Sequence, residues 1–367
     1  MNKLSDKNVS GFSCDKDNWK KVRFGDIFNI YNWINEQSEK RPKRLVRLMS
    51  QSQDSDEGRE NNCTNYVLPN YGYILFGDHT CCVKKIVEPC KLLGDGVKLL
   101  QPTNNVSFSF LFALLQYRAK QIPQGYARHL SILREIECCI PKKKMQESIA
   151  LIIESIDNQI STTKLLLSKY ESIKKATVNL LLKPKEGWQE IQIGNVCQEV
   201  HERVSCSELT INTYISTENL VPERQGIVPA SSVPIGINAI RFQRNDILVS
   251  NIRPYLKKIW YADFWGGCSN DVIVYRANEK VNPRFLFHLL SQDAFFNFAM
   301  DNATGTKMPR GDRKLLQLFA ISIPSSLSEQ EQISISIDKL SLILDNIYKS
   351  IKKLEKHKHS LLQYFFN

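Results

Sequence analysis

The feature that most restricts the fold of this 367-residue chain is an apolar ladder written twice. Ile149, Ile153, Ile156, Ile160, Thr163, Leu167 and Tyr170 follow a 4-3-4-3-4-3 spacing, the seam of a helix that packs along another helix. Ile333, Ile337, Leu340, Leu344, Ile347, Ile351 and Leu354 repeat that spacing without a slip, each 184 positions after its counterpart. Gln146 and Gln330, Lys169 and Lys353, Glu171 and Glu355, and Lys174 and Lys358 coincide at the same offset. Two helices of about 38 residues are therefore expected, Met145 to Leu182 and Glu329 to Phe366, each about 57 Å long at roughly 1.5 Å per residue. Pro141 and Pro324 precede them, and Pro184 ends the first, because its ring nitrogen has no proton to donate. Two copies of one apolar seam in a single chain can pair with each other.

The duplication extends beyond the helices. WKKVRFGDI, from Trp19, and WQEIQIGNV, from Trp188, share a tryptophan, alternating apolar residues and a glycine (Gly25, Gly194) in one register, 169 positions apart. These residues, Trp188, Ile191, Ile193 and Gly194 in the second copy, are expected to set up the domain fold. Residues 15–140 and 187–324 also share an outline. Strand-like runs at 66–68, 72–76, 245–250 and 271–275 precede helical stretches at Ser107–Lys120 and Asn282–Met300. A loop and a last strand ending in proline follow, at 137–141 and 320–324. The second domain carries 15 additional residues, so scaffolds match while loops differ.

The expected fold class is α/β. Two globular domains are separated by two long helices that form an antiparallel intramolecular coiled coil, a pseudo-two-fold repeat. The boundaries are an N-terminal tail 1–14, domain one 15–140, central helix 141–184, domain two 185–324 and C-terminal helix 325–367. The seam is assigned to Ile149, Ile153, Ile156, Ile160, Leu167, Tyr170, Ile333, Ile337, Leu340, Leu344, Ile347, Ile351 and Leu354.

A net charge of +11 favours a polyanionic partner, nucleic acid or an acidic membrane, and charge alone does not choose between them. Apolar runs such as Phe110 to Leu115 fall short of the roughly 20 residues a membrane span needs, and the polar first residues hold no signal-peptide core. A cytoplasmic protein without a membrane partner is expected. The ten cysteines are scattered and read as reduced thiols. Cys197, His201 and Cys206 come nearest to a metal pattern, but no CxxC completes it, so no metal site is assigned.

Candidate nucleic-acid contacts in the first domain are the basic segment with Lys40, Arg41, Lys43, Arg44 and Arg47, the Lys84-Lys85 pair on a strand or hairpin, and Gln124, Tyr126 and Arg128 before the last strand. Arginine suits guanine and glutamine suits adenine. In the second domain they are Asn251, Arg253, Lys257 and Lys258 around a proline, and Thr304, Thr306, Lys307 and Arg310 in a loop where Gly305 permits close approach to a phosphate backbone. Arg224, Arg241 and Arg244 are further candidates. Solvated basic loops and a plain Thr-Gly-Thr turn are the structural alternatives.

No catalytic residue stands out. No glycine is followed directly by lysine, which excludes a GxxxxGK[ST] phosphate loop. No two prolines are adjacent, so the Asn-Pro-Pro-aromatic motif of amino-methyltransferases is absent too.

Along nearly its whole length the chain resembles the DNA-specificity (S) subunits of type I restriction-modification systems. The resemblance rests on the two Trp-x-x-apolar-x-apolar-Gly-[Asp/Asn] openings, on PKKKMQESIA and PSSLSEQEQIS at the helix starts, and on NDILVSNIRPYLKK, ATGTKMP, GYILFGDHT and GDGVKLL inside the domains. It implies two target-recognition domains, each reading one half of a bipartite, asymmetric double-stranded DNA target, with the helices as spacer. It also implies a non-catalytic chain that directs two methyltransferase (M) subunits, which methylate adenine N6, and restriction/translocase (R) subunits. S-adenosylmethionine, ATP and Mg would then belong to those partners, with no cofactor on this chain. The alternatives are a stand-alone DNA nuclease or modification enzyme with an unrecognised active site, or a coiled-coil scaffold protein.

Overall fold

The computed structural model describes residues 16–31, 45–53, 57–61, 67, 72–94, 96–122 and 128–367. The chain divides into two compact units, residues 1–166 with 347–367, and residues 167–346. Its helices are α1 (Phe108–Ala119), α2 (His129–Glu135), α3 (Lys143–Leu181), α4 (Pro283–Leu290), α5 (Asp293–Asp301), α6 (Arg313–Leu316) and α7 (Leu327–Phe366). The two long helices are α3 and α7, and each unit holds a globular domain with part of both. None is long and apolar enough to cross a membrane.

In the first unit the strands are β1 (Lys20–Arg23), β2 (Phe28–Tyr31), β3 (Val46–Met49), β4 (Arg59–Glu60), β5 (Ile74–Gly77), β6 (Val83–Lys85), β7 (Cys90–Leu92), β8 (Val97–Pro102) and β9 (Glu137–Ile140). An antiparallel sheet of order β2-β8-β5-β6 lies beside a smaller one of order β4-β3-β7, in which β3 and β7 run parallel. Strand β5 is buried at every position, which is why Ile74 to Phe76 reads as an unbroken apolar run. Phe24, Phe76, Phe110 and Leu115 are fully buried in its core, each worth about 1.5–3 kcal/mol of transfer free energy.

The second unit repeats the plan with β10 (Trp188–Gln192), β11 (Cys197–Glu199), β12 (Arg203–Ser205), β13 (Tyr214–Ile215), β14 (Asn238–Phe242), β15 (Ile247–Ser250), β16 (Ile259–Tyr261), β17 (Gly266–Cys268), β18 (Val272–Ala277), β19 (Ala303–Thr304), β20 (Arg310–Gly311) and β21 (Ala320–Pro324). Its main sheet has order β11-β18-β15-β16, matching β2-β8-β5-β6. Its second sheet is larger, β12-β14-β17-β13, with the β13–β17 pair parallel. Gly266 lies where a Cβ would sit 2.1 Å from the Thr213 carbonyl oxygen, so that crossing requires glycine.

The two tryptophan-led openings close their domains. Strand β1 pairs antiparallel with β9, and β10 with β21, so each domain's first strand lies on its last, directly before the long helix. The following glycines are sites of close approach. A Cβ on Gly25 would meet Arg134 at 3.1 Å, and one on Gly194 would meet Gln317 at 3.1 Å. Trp188 packs edge-on against Phe285 and donates from Nε1 to Glu329.

The coinciding glutamines lock the helix starts. Gln146 is 1% exposed; its Oε1 accepts from Ser107 N, and its Nε2 donates to Asn105 O and Pro141 O. Gln330 is 0% exposed and does the same with Asn282 N, Lys280 O and Pro324 O. Each side chain thus satisfies backbone groups at the N-terminus of a domain helix and at the last strand together.

Within the first unit Ile149, Ile153, Ile156 and Ile160 pack in one core with Leu361, Leu362, Phe365 and Phe366, with Leu354 against it. Asp157 pairs with Lys358 at 2.6 Å and Lys164 with Glu355 at 2.7 Å, which fixes an antiparallel pairing there. Within the second unit Ile333 and Ile337 pack with Val178, Leu181 and Leu182. Ile351 is buried, and Leu167, Tyr170, Leu340, Leu344 and Ile347 are half-buried.

One expectation changes in detail. The helical stretch at 282–300 is two helices, broken where Ser291 Oγ turns back to Phe287 O and Gln292 Nε2 to His288 O. Of residues 66–68 only Val67 is described, and it forms a single bridge to Cys90. The Cys197 thiol bonds to the Ile193 carbonyl, and burial pushes its pKa up to about 12, so it is a packing group.

Candidate nucleic-acid interface

In the second unit the structure brings together two segments far apart in sequence. After β15 the chain turns outward at Asn251, which is 8% exposed and donates from its backbone N to Asp271 O. The Asn251 carbonyl accepts from Gly311 N at 3.2 Å, Ile252 bridges to Arg310, and Arg253 N donates to Pro309 O at 2.8 Å. A Cβ on Gly311 would lie 3.1 Å from Asn251 Oδ1, so glycine permits the approach. Arg253 and Lys257 both take left-handed backbone conformations, φ 51°, on either side of a short turn over Pro254–Leu256. Such strain persists only where the surroundings hold it, and it gathers at functional sites.

This knuckle exposes Arg253 beside the Thr304–Met308 loop, whose Thr304, Gly305, Thr306 and Lys307 are all exposed. Gly305 has φ 89°, a conformation that favours glycine. Arg310 Nη2 lies 3.3 Å from Asp271 Oδ1, with about half of each side chain in solvent. Asn251, Arg253, Thr304, Thr306, Lys307 and Arg310 therefore share one locale.

The other second-unit candidates go elsewhere. Arg224 and Lys257 both pair with Asp293, Lys257 at 2.8 Å, and hydrogen bonds from these two cations hold the Asp293 carboxyl at about 2. Arg224 also donates to Ser291 O. Lys258 donates to Thr217 O at 2.6 Å, and burial lowers its pKa. Arg241 lies over Trp265 at 6.0 Å, and Arg244 is exposed.

The first unit has the same anchor with other side chains. Asp78 follows β5 as Asn251 follows β15. Its N donates to Gly96 O, its carbonyl accepts from His129 N at 2.9 Å, and its Oδ1 accepts from Leu130 N at 2.8 Å. By this bonding pattern Gly96 stands where the second unit has Asp271, and His129 where it has Gly311. Arg128, exposed, therefore occupies the place of Arg310. Lys84 and Lys85 on β6 are held by carboxylates of the chain. Lys84 pairs with Glu57 at 2.6 Å, each 13% exposed; burial opposes the charge on Glu57, but hydrogen bonds from Lys84 and Ser50 lower its pKa. Lys85 pairs with Glu154 at 2.9 Å and lies over Phe112. Arg47 lies in β3, 3.4 Å from Glu88. Lys40, Arg41, Lys43, Arg44, Gln124 and Tyr126 lie outside the described residues.

Sequence reasoning missed Asp78, Gly96 and Asp271, whose roles come from backbone hydrogen bonds between distant segments. The only available signal was the alignment of GDHT with SNIR after an apolar strand.

With two equivalent domains and a shared anchor in view, the comparisons with known proteins are decisive. The model of the family described as "Type I restriction modification DNA specificity domain" matches residues 16–171 and again 185–356. The chain belongs to this family. Among curated proteins it is similar to the type I restriction enzyme EcoDI specificity subunit of Escherichia coli, 31% identical over 122 residues, which is 33% of this chain and 27% of that protein. The match thus spans about a quarter of that relative's length. Among solved structures, the type I restriction-modification S subunit from M. genitalium shares the fold at TM-score 0.63 and 15% identity, covering 95% of this chain and 96% of that one. A chain from a structure described as the basis of complex assembly and conformational transition of the type I R-M system matches at TM-score 0.51 and 13% identity, over 94% and 97%. Two specificity-domain matches in one chain are what the duplicated ladder and openings foretell.

Proposed function

We propose that this chain is the sequence-specific double-stranded DNA-binding subunit of a type I restriction-modification complex. Each domain reads one half of a bipartite, asymmetric target. The chain contributes no catalysis; it positions two methyltransferase subunits, which act on adenine N6, and ATP-dependent endonuclease subunits. S-adenosylmethionine, ATP and Mg bind those partners. The observation that carries the reading is the pairing of one scaffold, present twice in a family of DNA-specificity domains, with surface loops that differ between the copies. A shared scaffold gives two equivalent ways to meet a duplex, and unlike loops give unlike half-sites. The absence of a phosphate loop in the sequence and the net charge of +11 support the division of labour.

The test exchanges residues 15–140 for the corresponding domain of a relative and maps adenine methylation at base resolution in cells that supply the partners. One half of the methylated motif changes and the other is kept. A change in both halves, or in neither, would refute the modular reading.

A further inference from the structure

The proposed function leaves open which side chains read bases and which hold phosphates. In the second unit the anchor at Asn251 places an arginine and a carboxylate side by side, Arg310 with Nη2 3.3 Å from Asp271 Oδ1. A phosphate is a poor partner for this pair, because the Asp271 carboxylate repels it. A base edge is not. In the major groove a G·C pair presents two acceptors, guanine O6 and N7, next to one donor, the cytosine N4 amino group. Arg310 offers a planar fork of donors and Asp271 an acceptor, the complementary order. The carboxylate also draws the guanidinium toward this side of the loop before DNA arrives, so less side-chain freedom is lost on binding. Around the pair, Lys307, Thr304 and Thr306 are exposed groups suited to phosphate oxygens.

The first unit carries an arginine at the same place, with a glycine at the position of the acid. Arg128 precedes His129, whose backbone N donates to Asp78 O, as Arg310 precedes Gly311, whose N donates to Asn251 O. Gly96 stands in place of Asp271.

We infer that the Arg310–Asp271 pair reads a G·C base pair in the half-site of the second domain, and that Arg128 reads a guanine at the corresponding step of the other half-site. Arg310 and Arg128 are the reading residues, and Asp271 both positions Arg310 and accepts from the cytosine.

This inference rests on the proposed function, and its test separates the two. The full chain, assembled with its methyltransferase partners, methylates a library of randomised duplexes, and the products are sequenced. For R310A, one G·C position in the second-domain half-site loses roughly ten- to hundred-fold of its preference, while the other half-site is untouched. R310K does not restore it, since an ammonium lacks the fork. D271N keeps the shape and weakens the same position by a smaller factor. R128A relaxes one guanine of the first-domain half-site alone. Melting curves matching the unaltered chain establish that R310K and D271N fold. The inference is overturned if R310A and R310K weaken methylation equally on all sequences and flatten its salt dependence, the mark of a phosphate contact, or if they leave the preferences unchanged. No sequence preference in the unaltered complex would instead refute the proposed function.

Discussion

The two domains close the turn after their central strand differently. In the first unit Gly77 N donates to Cys82 O, leaving four residues in the turn; in the second Ser250 N donates to Lys258 O, leaving seven. Three more residues convert a tight turn around Cys81, φ 53°, into a knuckle with two left-handed residues and an exposed arginine. Yet the residue that starts the turn, Asp78 or Asn251, is buried in both and ties the same later loop to the sheet. The anchor is kept and what it presents changes.

Whether the scaffold is equally shared can be broken by substitution in pairs. Gln146→Ala and Gln330→Ala should have the largest effects, about 3 kcal/mol each, because each leaves buried backbone groups without partners. Hydrogen exchange should locate each loss in its own unit; equal loss in both units from either variant would defeat the comparison. Gly25→Ala and Gly194→Ala should cost about 1–2 kcal/mol each in denaturant titrations, since both meet a neighbour at 3.1 Å. A neutral result at one site alone would show that the openings are not equivalent.

The seam offers a finer contrast. Lys358 has Asp157, whereas Lys174, at the matching place, shares its cleft with Ser341, and burial lowers its pKa. Asp157→Ala should destabilise by about 0.5 kcal/mol, and Ser341→Asp should stabilise by a similar amount by supplying the missing acid. Stabilisation absent in the second variant would mean that Lys174 is already satisfied by Asp338 and Asp345.

A separate effect is an acid one. Burial opposes ionisation of Asp338, but the His288 ring 3.0 Å away and hydrogen bonds from Arg284 hold its pKa at about 2, below its ordinary value near 3.8. Its stabilising contribution is therefore complete above pH 4 and lost as pH falls toward 2. Acid titration followed by hydrogen exchange should loosen α4 against α7 in that window, and Asp338→Asn should remove the dependence.

The long helices and domain repeat were legible because periodicity records them directly: Ile149 to Tyr170 and Ile333 to Leu354 are spaced by helix geometry. The closing strands were legible from their prolines. The small sheets were not, since β4 and β13 have two residues each, too few to show alternation. Nor was the fate of the cations. Lys84, Lys85, Arg224 and Lys257 look in sequence like Arg253 and Lys307, and only tertiary placement gives the first four their carboxylates. Arg128 and Arg310 become equivalent only through the bonds their neighbours make to Asp78 and Asn251.

The pairing of β1 with β9 and of β10 with β21 has a consequence for inheritance. Lys20 faces Ile140 and Trp188 faces Pro324, so the chain enters and leaves each domain at neighbouring points. Everything between is a loop hung from a fixed clasp. Insertions, deletions or wholesale replacement that keep the contacts of Gln146 and Gln330 leave the helices after Pro141 and Pro324 in place, so a lineage can exchange one domain at a single step without redesigning the rest.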